Sequence, residues 1–408
     1  MKVLVVHTYY KLKGGEDSVV ANEIALLCSA GMEVEQLSFS NSGSTLLKLL
    51  QLPFNYGSYQ KTLRKLKEFK PDVVHIHNLH FSGSAAVVYA INKLKVPMVM
   101  TLHNYRLLCP SGSLYHNHQF FLDSLKPGFA WKAVKKGVYQ NSIAVTFWIA
   151  ASMYLHEQLG TWQKISRFIV LGEHSKALFS KSKFSRFADR IVVKPNFCFP
   201  DVQHTEKPAK TVTTAYANAD SAEKSASDYL YIGRLTEEKG LPVLLKAFSA
   251  SGYPLNIVGT GPMEQTVRDY SSRYSNINFH GAQPIEKVYE LLENTAALIF
   301  PSVWYETFGM VVIEAFSRGV PVIASDLGNI KNLVEDGVNG LRFIAGDDKD
   351  LRKKIERFMQ LTVERRAAFS RNAKQSYLNQ YSPEANAAQL IELYKTIAPC
   401  KIVPQAGG

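Results

Sequence analysis

AALIFPSVWYETFGMVVIEAFSRGVPVIAS, residues 296–325, reads as a strand, a turn into a helix, and a second strand. AALIFPS is a short apolar run of buried-strand type. Thr307, Phe308 and Gly309 make the turn, the helix runs to about Ser317, and Gly319 and Pro321 end it before VPVIAS. Upstream, DYLYIGRL, PLNIVG and INFHG are strands separated by helical windows. The first half has the same rhythm. VLVV (3–6) precedes a helix over 17–30 with Val19, Val20, Ile24, Leu27 and Cys28 near helical spacing, and VEQLSF (34–39) follows. After a basic helix over 59–69 come PDVVHIHN (71–78), VPMVMTLHN (96–104), FIVLGEHSKALF (168–179) and RIVVKPN (190–196). Strands alternating with helices at this spacing predict an α/β chain of mostly parallel sheets wrapped by helices. The expected architecture is two doubly wound, Rossmann-like domains facing a central cleft. They are placed at 1–200 and 201–382, with a closing helix at 383–398 packing back toward the first and a tail at 399–408.

Length and composition agree with two globular domains: 408 residues, 46% hydrophobic, 20% charged, 25 Gly and 17 Pro. They exclude wholesale disorder, a collagen-like fibre and a multi-span membrane protein. Cys28, Cys109, Cys198 and Cys400 lie far apart with no C-x-x-C pair, which predicts a reduced, cytoplasmic protein without a disulfide framework or zinc ribbon. MKVLVVHTYY has one Lys and no small-residue cleavage site, so it reads as a first strand rather than a signal peptide. Residues 204–228, rich in Ala, Ser, Thr and Lys, read as a flexible loop.

The net charge of +12 is unevenly placed. Residues 1–200 carry 24 Lys and Arg against 11 Asp and Glu, while residues 201–408 carry 23 against 24. The basic half suits an anionic partner, such as nucleic acid, an anionic membrane surface or a phosphorylated substrate; a basic surface kept for solubility is the plain alternative. Within it, residues 129–155 place Trp131, Lys132, Lys135 and Lys136 just before an apolar run too short to span a bilayer. That stretch reads either as a membrane-interface or acceptor-contacting segment, or as two helices whose apolar faces meet the core.

The chemistry-bearing residues cluster in the second half. In YIGRLTEEKG (231–240), a strand ends at Gly233 and Arg234 and Lys239 follow before a helix. Two cations beside a helix N-terminus at the carboxyl edge of a parallel sheet suit a diphosphate. Glu306 and Glu314 are eight apart, the first at the mouth of the next helix and the second within it. The first can accept hydrogen bonds from sugar hydroxyls, and the second can hold both hydroxyls of a ribose. A glycosidase acid and nucleophile pair fits poorly beside phosphate-type cations, and two solvated glutamates are the plain alternative.

GRLTEEKG, the NIVGTGP turn at 256–262, and E-x7-E followed by ASDLGN and VEDGVNGLRF resemble the donor-binding half of glycosyltransferase family 4. Gly14-Gly15 and TLHNYRLLCPSG (101–112) extend the resemblance into the first half. The resemblance implies the GT-B fold and a retaining, metal-independent transferase without a cofactor, using a nucleotide-diphosphate sugar, UDP- or GDP-linked, as donor. It implies that Arg234 and Lys239 hold the donor diphosphate, Glu314 the ribose, and Glu306 with the backbone of Phe308, Gly309 and Met310 the transferred sugar. The base lies near Gly281 and Ala282, Gly261 belongs to the donor-binding turn, and Gly14 and Gly15 bring amides close to the phosphates. His103 matches a histidine that contacts the donor sugar near C1; many relatives follow it with Asp, where this chain has Asn104. His7, His75, His77 and His80 read as core or cleft-edge groups and are given no functional role.

Breaking the anomeric bond leaves charge on a nucleotide diphosphate, which two fixed cations and helix dipoles stabilise. The resemblance implies transfer of one sugar to a saccharide acceptor in surface polysaccharide synthesis (O-antigen, capsule or exopolysaccharide). The basic first half favours an anionic, polyprenyl-diphosphate-linked acceptor, and a location at the inner face of the cytoplasmic membrane. A soluble acceptor, a nucleotide-sugar epimerase and a basic nucleic-acid-binding protein are the alternatives; no nucleic-acid-binding module is legible for the last.

Overall fold

The computed structural model describes residues 1–10, 14–42, 45–200 and 227–398. The expected flexible loop therefore falls, but for its last two residues, outside the described residues, as does the tail from 399. The chain divides into two compact units. The first contains Met1–His116, Phe121–Pro195 and the C-terminal helix from Asn386; the second contains Asn117–Phe120 and Asn196–Ala385.

In the first unit, six strands form one sheet: β1 (Lys2–Tyr9), β2 (Glu33–Ser40), β3 (Val73–Ile76), β4 (Met98–Thr101), β5 (Arg167–Val170) and β6 (Ile191–Val193). Their order is β2-β1-β3-β4-β5-β6 and every pairing is parallel. β3 and β4 are buried along their whole length, as central strands covered on both faces must be. One core cluster joins Val3, Val5, Val73, Val99 and Ile169 of the sheet to Val20 and Leu27 of helix Gly15–Ser29 and to Leu390 and Tyr394 of helix Pro383–Ile397.

In the second unit, β7 (Tyr229–Ile232), β8 (Leu255–Val258), β9 (Ile277–Gly281), β10 (Ala297–Phe300), β11 (Val322–Ser325) and β12 (Gly340–Phe343) form a second parallel sheet. Its order is β9-β8-β7-β10-β11-β12. Its core packs Tyr229, Ile257, Ile299, Ile323 and Leu341 under Leu244, Phe248, Leu351 and Phe358 of the flanking helices.

Both sheets therefore reverse direction beside their first strand, between β1 and β3 and between β7 and β10. Ligands of open parallel sheets bind at such a reversal, outside the carboxyl ends of the strands.

Element boundaries follow local capping. The helix expected over 59–69 begins at Tyr56, because the Asn55 side chain accepts from the Ser58 amide (3.2 Å). The stretch 129–155 forms two helices, Trp131–Lys136 and Ile143–Gln158, and the αL residue Gly137 ends the first. None of the described helices is long and apolar enough to cross a membrane. Cys28, Cys109 and Cys198 are free thiols.

Gly240 shows how tightly the β7 loop is built. It has φ +75°, and an added Cβ would lie 1.8 Å from the Pro301 carbonyl oxygen. Gly240→Ala is expected to destabilise the second unit by about 3 kcal/mol or more, because the blocking atom is backbone and the conformation is left-handed. Thermal melting checks this.

Candidate active site

The loops at the reversal of the second sheet carry the expected diphosphate-binding residues. β7 runs into a turn holding Arg234, then a 3₁₀ turn over Glu237–Lys239, and Gly240 starts helix Leu241–Ser251. β10 runs into Pro301–Gly309, where Gly309 precedes helix Met310–Ser317.

The two loops meet through an ion pair. The Lys239 ammonium lies 2.7 Å from Oε1 of Glu306, which also accepts from the Ser302 hydroxyl at 2.6 Å. Glu306 is buried and Lys239 half-buried, with its ammonium 5.5 Å from the centre of the Trp304 ring. Asn329 donates to the carbonyls of Glu306 (3.2 Å) and Thr307 (2.8 Å), fixing the approach to the helix. Arg234 is exposed and keeps only a long contact to Glu238, 3.4 Å. The arrangement thus offers one exposed guanidinium and one ammonium held by a buried carboxylate.

Phe308 and Gly309 are buried and Met310 is half-buried at the helix start. Glu314, in the first turns of that helix, has its carboxyl pushed up to about 7 by burial, against the opposing effect of Arg318. Gly281 ends β9 with φ +67° and open space where a Cβ would stand, and Ala282 after it is exposed. Gly261 is different: a Cβ there would lie 2.5 Å from the Leu235 oxygen, so contact with the β7 loop accounts for this glycine without a ligand.

In the first unit, Gly14 caps helix Gly15–Ser29 in an extended conformation, and nothing lies within 4 Å of a Cβ built at Gly14 or Gly15. Among the described residues, no protein contact requires glycine at either position. Asp17 ties this turn down, accepting from the Gly14 amide (3.1 Å) and lying 2.8 Å from Nε2 of His7. The adjacent Glu16 carboxyl is pushed up to about 8 by burial and by the Asp17 charge, with Arg106 opposing, so it is largely neutral at pH 7. His103 lies two residues beyond β4, its Nε2 2.9 Å from Nδ1 of His77. Asn104 accepts from the Arg106 amide (2.9 Å) and donates to the Tyr10 hydroxyl (3.3 Å), so it shapes the turn.

The histidines without an assigned role are the main omission of the sequence reading. His7, His75 and His77 are buried. His75 lies 2.8 Å and His77 3.1 Å from Oε1 of Glu23, whose other oxygen is 3.3 Å from the Lys194 ammonium. The H-x-H spacing at 75–77 was the available signal, since alternate strand residues share a face. Glu23, His75 and His77 each bring one donor atom within a 4.8 Å group. That is a zinc-type donor set, but atoms coordinating one zinc at about 2.0–2.1 Å stand over 3 Å apart. Here the 2.8 Å spacing is too short for two ligands of one zinc, and the Lys194 ammonium hydrogen-bonded to the other Glu23 oxygen describes a buried ion cluster.

Trp131, Lys132, Lys135 and Lys136 are all exposed. Lys132 pairs with Asp123 (2.7 Å), and the Lys136 ammonium sits 5.5 Å from the centre of the Phe121 ring. Helix Ile143–Gln158 buries Thr146, Ser152 and His156 while exposing Ile143, Phe147, Trp148 and Leu155. Leu47 and Leu50 are also exposed, and Trp148 donates from its indole to the Leu49 carbonyl at 2.5 Å.

Two family models match the chain and together cover about three-quarters of it: Glycosyltransferase Family 4 over residues 21–171 and Glycosyl transferases group 1 over residues 216–376. The chain belongs to the family 4 glycosyltransferases of GT-B fold. The enzyme is 24% identical over 359 residues to an uncharacterized 41.2 kDa protein in the cps region of Klebsiella pneumoniae, covering 83% of this chain and 85% of that one. It is 27% identical over 179 residues to the O-antigen chain mannosyltransferase C of Escherichia coli, covering 42% and 47% of the two chains. Among solved structures, Anabaena HepE in complex with UDP superposes with a TM-score of 0.66 at 17% identity, over 97% of this chain and 100% of that one.

The raised pKa of Glu314 has a consequence for the glycosyltransferase's stability. A carboxyl whose folded pKa is raised favours the fold while protonated, and this contribution is lost as pH rises from about 4.5 through about 7. Glu314→Gln is expected to raise the melting temperature at pH 8 and to change it little at pH 5. Melts across that range check the sign.

Proposed function

We propose that this glycosyltransferase transfers one sugar, with retention of anomeric configuration, from a nucleotide-diphosphate sugar to a saccharide acceptor in surface polysaccharide synthesis. The observation that carries this reading is the Lys239–Glu306 pair beside the exposed Arg234, at the reversal of a parallel sheet. Cations there stabilise the charge that appears on a leaving diphosphate. Arg234 offers a bidentate grip and Lys239 a point charge. Glu306 orients the ammonium and the transferred sugar, and Glu314 takes the ribose hydroxyls. The amides of Phe308, Gly309 and Met310 lie at the positive end of their helix. Gly281 and Ala282 leave room for the base.

In the first unit, the bare backbone at Gly14 and Gly15 suits close approach of a phosphate, because no contact among the described residues demands glycine there. His103 contacts the donor sugar. The sugar is attacked on the face the diphosphate leaves, with a donor phosphate oxygen accepting the acceptor's proton. UDP, bound in the Anabaena relative, is the first nucleotide to test and GDP the second.

The acceptor is read as lipid-linked. Exposed Trp131, Phe147, Trp148 and Leu155 beside Lys132, Lys135 and Lys136 combine apolar and basic groups as an anionic membrane interface requires.

Thermal shift against UDP, GDP, ADP and their sugar conjugates tests the donor reading. A true donor nucleotide at a hundredfold excess over its Kd adds about 2.7 kcal/mol of stability. Lys239→Ala should weaken that nucleotide about tenfold or more, and Glu306→Gln should lose transfer while still folding. Near-normal turnover in both variants overturns the site. Replacing Lys132, Lys135 and Lys136 with Ser should weaken binding to phosphatidylglycerol vesicles with nucleotide affinity unchanged. The loss should be about 1 kcal/mol for each of Lys135 and Lys136, and less for Lys132, which Asp123 already neutralises. Unchanged vesicle binding removes the membrane surface from the proposal.

A further inference from the structure

Behind His103 lies a buried polar chain whose proton positions can be worked out from its end. Glu23, on helix Gly15–Ser29, is fully enclosed beside the Lys194 ammonium and the imidazoles of His75 and His77. Lys194 is held in turn by the Asn386 side chain at 2.8 Å, and Nδ1 of His75 lies 2.7 Å from the Tyr394 hydroxyl. Burial alone would raise the Glu23 carboxyl, but His75, Lys194 and His77 outweigh it and keep the group well below the usual range. The carboxylate is therefore an anion.

The Glu23 anion lies 3.1 Å from the buried Nε2 of His77, outside hydrogen-bond geometry, and its charge favours a proton on that nitrogen over a lone pair. Burial, then His75, lowers His77 to about 4 in spite of Glu23, so at neutral pH this ring carries one proton. With that proton on Nε2, Nδ1 of His77 is an acceptor. Its partner at 2.9 Å, Nε2 of His103, must then be the donor. The two rings are nearly parallel, 19° apart with centres at 5.2 Å. His103 is itself neutral, kept well below its ordinary value by burial and then by His77.

We propose that Glu23 and His77 are positioning residues for His103, acting through a Glu23–His77–His103 chain that fixes the His103 proton on Nε2 and makes its Nδ1 a hydrogen-bond acceptor. This rests on the reading of His103 as a residue that contacts the donor sugar. A neutral imidazole polarised by a carboxylate at the far end of the chain accepts from a sugar hydroxyl. It also places partial negative charge, not a cation, beside a sugar that becomes oxocarbenium-like as its bond to the diphosphate breaks. The Lys194–Glu23 pair neutralises the buried charge, and His75, held between Thr101 (2.7 Å) and Tyr394, sets one wall of the chain.

The test is nitrogen NMR on the full-length protein labelled with ¹⁵N-histidine, with His77→Leu and His103→Ala used for assignment. The expected wild-type result at pH 7 is a neutral His103 with its proton on Nε2. In Glu23→Leu/Lys194→Met, which removes the buried pair together so that neither charge is left alone, His103 should become a mixture of both tautomers. Turnover of UDP-glucose or GDP-mannose, whichever the protein consumes, should fall about tenfold in that double variant, with UDP or GDP affinity within twofold of wild type. A wild-type His103 that is charged or carries its proton on Nδ1 overturns the proposal, and that measurement needs only the two assignment variants to fold, not the double variant. A folded double variant with an unchanged His103 tautomer overturns it equally. Full turnover in His103→Ala would instead overturn the sugar-contact reading of His103, a separate failure that the tautomer spectra do not share.

Discussion

Parallel strand pairing is the constraint on which the rest depends. Parallel strands send every connection back over a sheet face, so all carboxyl-end loops of a sheet gather along one edge. In the second unit the loops after β7 and β10 become neighbours only because the order reverses between those strands. That adjacency lets Lys239 reach a carboxylate 67 positions later in the chain. In the first unit the same reversal puts the Gly14–Gly15 turn beside the end of β3, where His77 follows Ile76. Each site is therefore a product of topology before it is a product of side chains.

Buried charge then decides what those loops can do. Glu306 and Glu23 are both enclosed carboxylates, each beside a lysine ammonium. Removing a charge from water costs several kcal/mol, and a partner must return that through contact and hydrogen bonds. The two pairs differ in exposure. Lys194 is as buried as its glutamate, and it is also bound by Asn386, so that pair is a fixed structural element. The Lys239 side chain is 21% exposed against 8% for Glu306, so an incoming phosphate can share the ammonium without the carboxylate being stripped of its Ser302 bond. Exposure on one side only makes the second pair suited to binding.

The two sheets, their strands and the helix following Gly309 were legible because apolar runs and glycine or proline punctuation mark them locally. The E-x7-E spacing and the Arg234 and Lys239 motif were legible for the same reason, since each lies within one strand–loop–helix unit. The direct pairing of Lys239 with Glu306 was not, because it depends on which strands are neighbours. The Glu23 cluster was still less visible. Its members come from helix Gly15–Ser29, strand β3, the chain just after β6, and the C-terminal helix, and no local pattern links position 23 to 194 or 394. Gly261 shows a second constraint of the same kind: the Leu235 backbone, from a loop 26 positions earlier, leaves no room for a side chain there.

Helix Ile143–Gln158 leaves large apolar side chains on a water-facing surface. A surface helix normally turns its apolar stripe inward. This one is apolar nearly all round: it buries Ile149 and Ala150 together with Thr146, Ser152 and His156, and leaves Ile143, Phe147, Trp148 and Leu155 outside. Of the buried polar groups, Thr146 bonds the Ser142 carbonyl within the first turn, and His156 bonds Thr161 and the Pro53 carbonyl, tying the inward face to the neighbouring chain. At about 25 cal/mol per Å² of apolar surface left in water, an exposed apolar face of this kind is a standing penalty. Phe129 and Trp131 stack against Phe147 at the rim, and Lys135 and Lys136 follow directly. The exposed apolar side chains and the basic helix Trp131–Lys136 thus adjoin.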